Sequence, residues 1–328
     1  MWHMTRLRWG LLSTARINRL IIPAIRASAR SELTTVASRD PTKALAYASE
    51  WQIPRIHRSY EALLDDPEVD VLYIGLPNSL HVEWTVRALE AGKHVLCEKP
   101  MALEPEGIDR IADAVKRTGR AAAEGFMYRH QPLTHAVEKI VASGQLGPIR
   151  SYKGAFTFPL TRENDVRLDP ALGGGSLWDV GCYPVTYACM LARAAPAEVF
   201  GWQQLAPSGI DREFAGMMRF GDGSVAQFDA GFMGPFRAEM EVVGSDASLR
   251  ILRPFRTDDC SQLQLTVGDT VETVPFPVAA PFAGEIADVE AVVIDDRAQR
   301  VPLSESRRTA ATLGALYRSA QTRRPQTL

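Results

Sequence analysis

Residues 69–100 read VDVLYIGLPNSLHVEWTVRALEAGKHVLCEKP, and this stretch decides the fold. Residues 69–75 form an apolar run rich in β-branched and aromatic side chains, which predicts a buried strand. Residues 80–91 carry helical spacing and stop at Gly92, a residue suited to the left-handed turn that ends helices. Residues 94–97 are strand-like again. The same alternation extends outward. Upstream, strands are expected at 7–13, 33–38 and around Ile56, with helices at 17–28, 41–51 and 60–64. Pro23 is a tolerated kink in the first helix. Downstream come a helix at 104–118 and a strand at 121–125. Strands alternating with helices predict an α/β fold, a parallel sheet covered on both faces.

Beyond Gly125 the pattern changes. One helix fits residues 132–143, closed by Gly144. Longer alternating runs then follow at 149–158, 197–203, 213–220, 225–232, 238–243 and 263–267. Gly221-Asp222-Gly223-Ser224 supplies a tight turn between two of them. Helices at 285–296 and 304–320 complete a second, α+β domain with a large, mostly antiparallel open sheet. The expected division is residues 1–127 and 128–328. A chain of 328 residues exceeds what one core usually holds.

Composition narrows the function classes. With 46% hydrophobic residues, 23% charged residues and a net charge of -2, nothing favours a nucleic acid or an anionic membrane as partner. Cys97, Cys182, Cys189 and Cys260 have no spacing that suggests a metal site, so no metal is expected and a reducing compartment is the natural reading. No acidic residue precedes Glu32, while Arg6, Arg8, Arg16, Arg19, Arg26 and Arg30 do. A transit peptide has that composition. The preferred reading makes residues 7–13 the first strand, because removing them would delete the start of the domain. No apolar run reaches the ~20 residues needed to span a bilayer. A cytoplasmic location is the expectation.

Two motifs carry chemistry. One is Glu98-Lys99-Pro100, at the end of a strand; the other is residues 173–184, GGGSLWDVGCYP. In a helix, Asp179 and Tyr183 share a face, being four residues apart. A lysine, a phenol and a carboxylate brought together suit reversible proton transfer to a hydroxyl or carbonyl. Each has a plainer reading. Lys99 can be a loop lysine paired to its neighbour, Asp179 the second half of a capping box with Ser176, and Tyr183 a core tyrosine. Pro184 is expected to break or restart the helix just after Tyr183.

Together these motifs resemble the glucose–fructose oxidoreductase / inositol dehydrogenase family, Gfo/Idh/MocA, over nearly the whole chain. Within it the chain is most similar to the branch of dihydrodiol and xylose dehydrogenases. The resemblance implies an N-terminal Rossmann dinucleotide-binding domain. It also implies Tyr183 as general acid/base, Lys99 and Glu98 beside the nicotinamide and substrate, and Asp179 as a substrate or charge-tuning group. Pro77, Asn78 and His81 would form a cofactor-side motif, although Asn78 also reads as the N-cap of the following helix. Arg129, Arg167 and Trp178 are candidate substrate contacts.

The cofactor turn departs from the G-x-G-x-x-G pattern, with Ser13, Ala15 and Asn18 at the glycine positions. The candidate cofactor contacts are Ser13, Thr14, Ala15, Arg16, Ile17, Ser38, Arg39, Leu76, Pro77, Asn78, His81, Glu98, Lys99 and Glu124. Asn18 either turns inward as a donor or faces solvent. At the second strand tip, Asp40-Pro41 reads as a helix cap. That leaves Ser38 and Arg39 for a 2′-phosphate and favours NADP over NAD.

The expected activity is hydride transfer between NADP and a secondary hydroxyl or carbonyl of a sugar, polyol or cyclic diol. The alternatives are a non-catalytic nucleotide-sensing regulator and a sugar-ring eliminase or hydrolase that retains NAD. A homo-oligomer, most simply a dimer, is expected through the second sheet. Phe214, Met218, Phe220, Phe228 and Phe232 offer it more apolar surface than one helix layer readily hides.

Overall fold

In the computed structural model, which describes residues 6–256 and 258–328, the alternation becomes β1 (Leu7–Leu12), α1 (Asn18–Ala27), β2 (Ser31–Ala37) and α2 (Pro41–Glu50). Then follow β3 (Arg55–His57), α3 (Tyr60–Leu64), β4 (Val71–Ile74), α4 (His81–Glu90), β5 (His94–Glu98), α5 (Pro105–Thr118) and β6 (Ala122–Gly125). After α6 (Pro132–Ala142) come β7 (Ile149–Thr157), α7 (Cys182–Ala192), β8 (Glu198–Leu205), β9 (Asp211–Arg219), β10 (Val225–Gly231) and β11 (Arg237–Gly244). The chain continues through β12 (Ser248–Leu252), β13 (Gln262–Val267), β14 (Thr270–Thr273), α8 (Ala283–Asp295), α9 (Leu303–Thr322) and β15 (Gln326–Thr327).

The chain divides into two compact units. The first comprises the chain up to His130 together with Ala280–Arg307; the second comprises Gln131–Ala279 and Arg308–Leu328. The linear reading assigned 280–307 to the second domain, but packing puts these residues with the first. Phe282, Ile286 and Val289 of α8 join a core with Trp9, Leu11, Ile21, Ile22 and Ile25. Polar contacts fix the register of that helix. Glu290 accepts from Ser31 Oγ at 2.6 Å, and Asp295 pairs with Arg30 at 2.8 Å.

In the first unit six strands form a parallel sheet in the order β3-β2-β1-β4-β5-β6. Strand β1 lies at its centre, between β2 and β4, so the arginine-rich start belongs to the fold. Arg8 there is tied to Asp70 at 2.8 Å.

The second unit holds a nine-stranded sheet ordered β14-β13-β12-β11-β7-β10-β9-β8-β15, antiparallel except for the β7–β10 pair. Three of its strands escape the sequence reading. β12 is short, β14 is fully exposed and so lacks an alternating face, and β15 exists only through its pairing with β8.

The aromatic surface invoked for oligomerisation is not exposed. Phe214, Met218, Phe220, Phe228 and Phe232 are all buried. Alternation places them on the inner face, where Phe214 meets Tyr317 of α9 edge-on, with ring centres 5.6 Å apart. The opposite face carries Met217, Gln227, Lys153, Glu241 and Arg250 in register across five strands. Lys153 and Glu241 form an ion pair there at 2.8 Å. No described helix is long and apolar enough to cross a membrane.

Candidate active site

The candidate residues form two groups, one within each unit. In the first unit they line the carboxyl edge of the parallel sheet, where open α/β sheets bind ligands. Ser13 takes the place of the first glycine in the turn after β1, and its φ of 126° is in the region glycine normally occupies. Its hydroxyl donates to the Gly75 carbonyl at 3.2 Å and accepts from the Ala15 amide at 3.3 Å. Asn18 turns inward and is fully buried, with Nδ2 donating to the Ser13 carbonyl at 2.8 Å.

Gly75, at the end of β4, supplies the close approach that this turn needs. A Cβ there would lie 3.2 Å from Asn18 Oδ1 and 3.4 Å from the Ala15 Cβ. Side-chain hydrogen bonds thus replace the missing glycines. Helix α1 opens with no side-chain cap and no acidic residue in its first turn. Its N-terminus, with Thr14, Arg16 and Ile17 in the approach, fits the pyrophosphate of a dinucleotide.

At the tip of β2, Asp40 caps α2 as expected, accepting from Thr42 and Lys43 at 3.0 and 3.1 Å. Arg39 is exposed beside the Tyr60 hydroxyl. Burial raises the pKa of Tyr60, and the Arg39 charge and hydrogen bond partly offset that rise. These residues fit a 2′-phosphate.

His81, expected on the cofactor side, is buried with both ring nitrogens facing backbone carbonyls. Nδ1 faces the Pro100 carbonyl at 2.8 Å and Nε2 the Leu76 carbonyl at 2.7 Å. Burial lowers its pKa, so the ring is neutral near pH 7 and donates to one carbonyl at a time. It straps the β4 end to the segment after Lys99. Asn78 opens a 3₁₀ turn (Asn78–Leu80) after Pro77 rather than capping α4, which begins at His81.

Glu124, expected at the cofactor, is buried and accepts from the Met101 amide at 2.8 Å. Arg129, expected at the substrate, is buried and paired with Glu305 at 2.6 Å. Lys99 directly follows β5, and its peptide bond to Pro100 is cis. Glu98 accepts from the Tyr73 hydroxyl at 2.6 Å and from the Lys99 amide at 3.3 Å. Glu285, unmarked in the sequence, is buried near Gly125. Burial first, and then the nearby Glu98 charge, holds its carboxyl well above the usual range.

In the second unit, residues Leu177–Gly181 form a π-helical turn that runs into α7. Such turns recur at functional sites. The expected capping box is absent, because the Ser176 hydroxyl donates to Asp211 instead, at 2.7 Å. Asp179 is held by Arg167, Nε to Oδ2 at 2.6 Å, and Arg167 Nη1 also meets Asp165 at 3.2 Å. Asp179 first, with Asp165 adding to it, raises the Arg167 pKa further, so the guanidinium is permanently charged and engaged by carboxylates.

Tyr183 is partly exposed, with ring centres 5.3 Å from Phe156 and 5.4 Å from Phe255. Trp178 leans on Tyr317, with ring centres 5.2 Å apart. The helix changes character before Tyr183 rather than after it. Pro184 falls in the first turn of α7, directly after the π-helical turn. Among the described residues no cluster of side chains could hold a metal ion.

A model described as "Oxidoreductase family, NAD-binding Rossmann fold" matches residues 7–126, and one for the GFO/IDH/MocA C-terminal domain matches residues 134–250. The chain belongs to the Gfo/Idh/MocA oxidoreductase family. It is 35% identical to an uncharacterised oxidoreductase of Rhizobium meliloti, covering 97% of this chain and 98% of that one. It is likewise 35% identical to a D-xylose 1-dehydrogenase (NADP(+)) of Haloferax volcanii, covering 96% and 97%. Among solved structures, a 3-ketoreductase from Actinomadura kijaniata in complex with NADP and TDP-benzene superposes with a TM-score of 0.91. That match has 28% identity and covers 96% of this chain and 98% of that one. Structures of the same ketoreductase also exist with one lysine or one tyrosine replaced.

Loss of the inward amide tests the glycine-poor turn. Asn18→Ala leaves the Ser13 carbonyl without its donor and is expected to destabilise the protein by about 1–3 kcal/mol. Urea unfolding measures this directly, and an unchanged midpoint would show that the amide does not brace the turn.

Proposed function

We propose that the protein is an NADP-dependent dehydrogenase or reductase acting on a secondary hydroxyl or carbonyl of a neutral sugar, polyol or cyclic diol. The observation that carries this reading is the position of Lys99, directly after β5 at the carboxyl edge of the parallel sheet. The NADP named for the xylose dehydrogenase and bound to the ketoreductase supports the same cofactor here. The lysine and tyrosine replaced in the ketoreductase structures are spaced along that chain as Lys99 and Tyr183 are along this one.

When bound, the nicotinamide donates or accepts the hydride. Tyr183 exchanges the proton of the reacting oxygen, and the Lys99 ammonium stabilises the alkoxide character that develops on it. Asp179 accepts hydrogen bonds from neighbouring hydroxyls, with Arg167 fixing its orientation. Pairing Arg167 with Asp179 and Asp165 removes the guanidinium as a receptor for an anionic substrate, and Arg129 is committed to Glu305. Both observations favour a neutral substrate.

Lys99→Ala and Tyr183→Phe are each expected to lower kcat by about 10²-fold or more while retaining NADP binding and the fold. Full activity in either variant would remove that residue from the chemistry. Arg39→Ala should weaken NADP by about tenfold or more and leave NAD nearly unaffected, since only NADP presents the phosphate. An equal loss for both cofactors would count against the 2′-phosphate role. Steady-state comparison of an aldose with the matching aldonic acid should show a clear preference for the aldose; preference for the acid would redirect the substrate to Arg167.

A further inference from the structure

We propose that Asp211 and Tyr317 are positioning residues that anchor the turn that bears Asp179 and leads into the helix bearing Tyr183, acting through Ser176 and Leu177. This inference rests on the roles given above to those two residues. Asp211 begins β9 and is only 2% exposed. One carboxylate oxygen accepts from Ser176 Oγ at 2.7 Å and from the Leu177 amide at 2.8 Å; the other accepts from the Tyr317 hydroxyl at 2.6 Å. Three donors from two elements therefore converge on one buried side chain. The Leu177 amide is the first of the π-helical turn, so the carboxylate holds the turn where the chain enters it.

The backbone is shaped around this contact. Gly175 has a φ of 131°, and a Cβ there would lie 2.3 Å from Asp211 Oδ1 and 2.7 Å from the Tyr317 hydroxyl. Only glycine permits the approach. Above it the Tyr317 ring supports Trp178, and Arg167 secures Asp179 from the side. The turn is thus fixed at its entry by Asp211, along its length by Tyr317 and at its carboxylate by Arg167.

The anchor is sensitive to pH. Burial pushes the Asp211 carboxyl up to about 6, while the bonds from Tyr317, Ser176 and Leu177 restrain the rise. The ionisable groups facing it are Tyr317 from α9 and, beyond that, Cys182 from α7, with Asp179 on the anchored turn paired to Arg167. Protonation puts a hydrogen on one oxygen, where it competes with the donor already facing that oxygen, so the contact must weaken or, at the Tyr317 hydroxyl, reverse direction. Because the folded pKa lies above the ordinary 3.8, protonation favours the folded state between those values. Stability therefore does not fall with acid on account of this group; the geometry of the turn changes instead.

The test uses the full chain with NADP. D-xylose oxidation is followed from pH 5 to 8, and Trp178 emission is taken as the difference from Trp178→Phe. In the wild type, Trp178 emission should titrate near pH 6, and kcat should fall on the acid side over the same range. Asp211→Asn should abolish the emission change, remove the fall in kcat that accompanies it and lower kcat about tenfold at pH 8, with the KM for NADP unchanged. Tyr317→Phe removes a donor to the carboxylate and should move the emission midpoint above 6. That variant keeps the test alive if Asp211→Asn fails to fold. Emission that is flat with pH in the wild type, or a midpoint unmoved by Tyr317→Phe, would overturn the proposal. Failure of the functional reading looks different: Tyr183→Phe would then retain activity while the emission titration persisted.

Discussion

A parallel sheet with apolar side chains on both faces cannot leave either face to water, and the first unit is organised by that constraint. Helices α4 and α5 cover one face with Trp84, Ala88, Leu89, Ile108 and Ile111. On the other, α1 is joined by α8, contributed by a segment far along the chain. Burying Phe282, Ile286 and Val289 contributes about 1.5–3 kcal/mol each. This explains why a helix read as part of the second domain belongs to the first. With both faces closed, the carboxyl edge is left uncovered by these helices, and Ser13, Arg39, Gly75 and Lys99 lie along it.

Charge near the candidate site is managed by pairing. Arg129 and Glu305, Arg167 and Asp179, and Glu124 with the Met101 amide each place an ionised or polar group against a partner chosen by the fold. Removing one member of a buried pair is more damaging than the pair is stabilising, because the survivor keeps its desolvation penalty. The same logic accounts for the partners of two buried residues read from sequence as cofactor contacts. His81 joins the Leu76 and Pro100 carbonyls, and Glu124 holds the segment that follows Lys99.

Much of the architecture was legible before any coordinates. The alternation of periods two and 3.6, Gly92 after α4, and Asp40-Pro41 at the start of α2 each specify local backbone geometry, which neighbours a few residues away suffice to determine. The inward turn of Asn18 was one of two outcomes the sequence allowed; the buried Ser13 carbonyl, needing a donor, selected it. The capping box at Ser176 and Asp179 failed for a related reason. Its spacing was correct, but Asp211 and Arg167 compete for the two side chains in a buried setting.

The sequence by itself therefore determined the two-part fold, the family and the motifs where Lys99, Asp179 and Tyr183 stand. Periodicity and short motifs are properties of adjacent residues. Only the tertiary structure decided which polar groups support those motifs. Asp211 lies 35 residues from Ser176 and 106 from Tyr317, and no pattern in the chain links the three. Their association follows from burial, which obliges a carboxylate to find donors wherever the packed sheet and helices bring them.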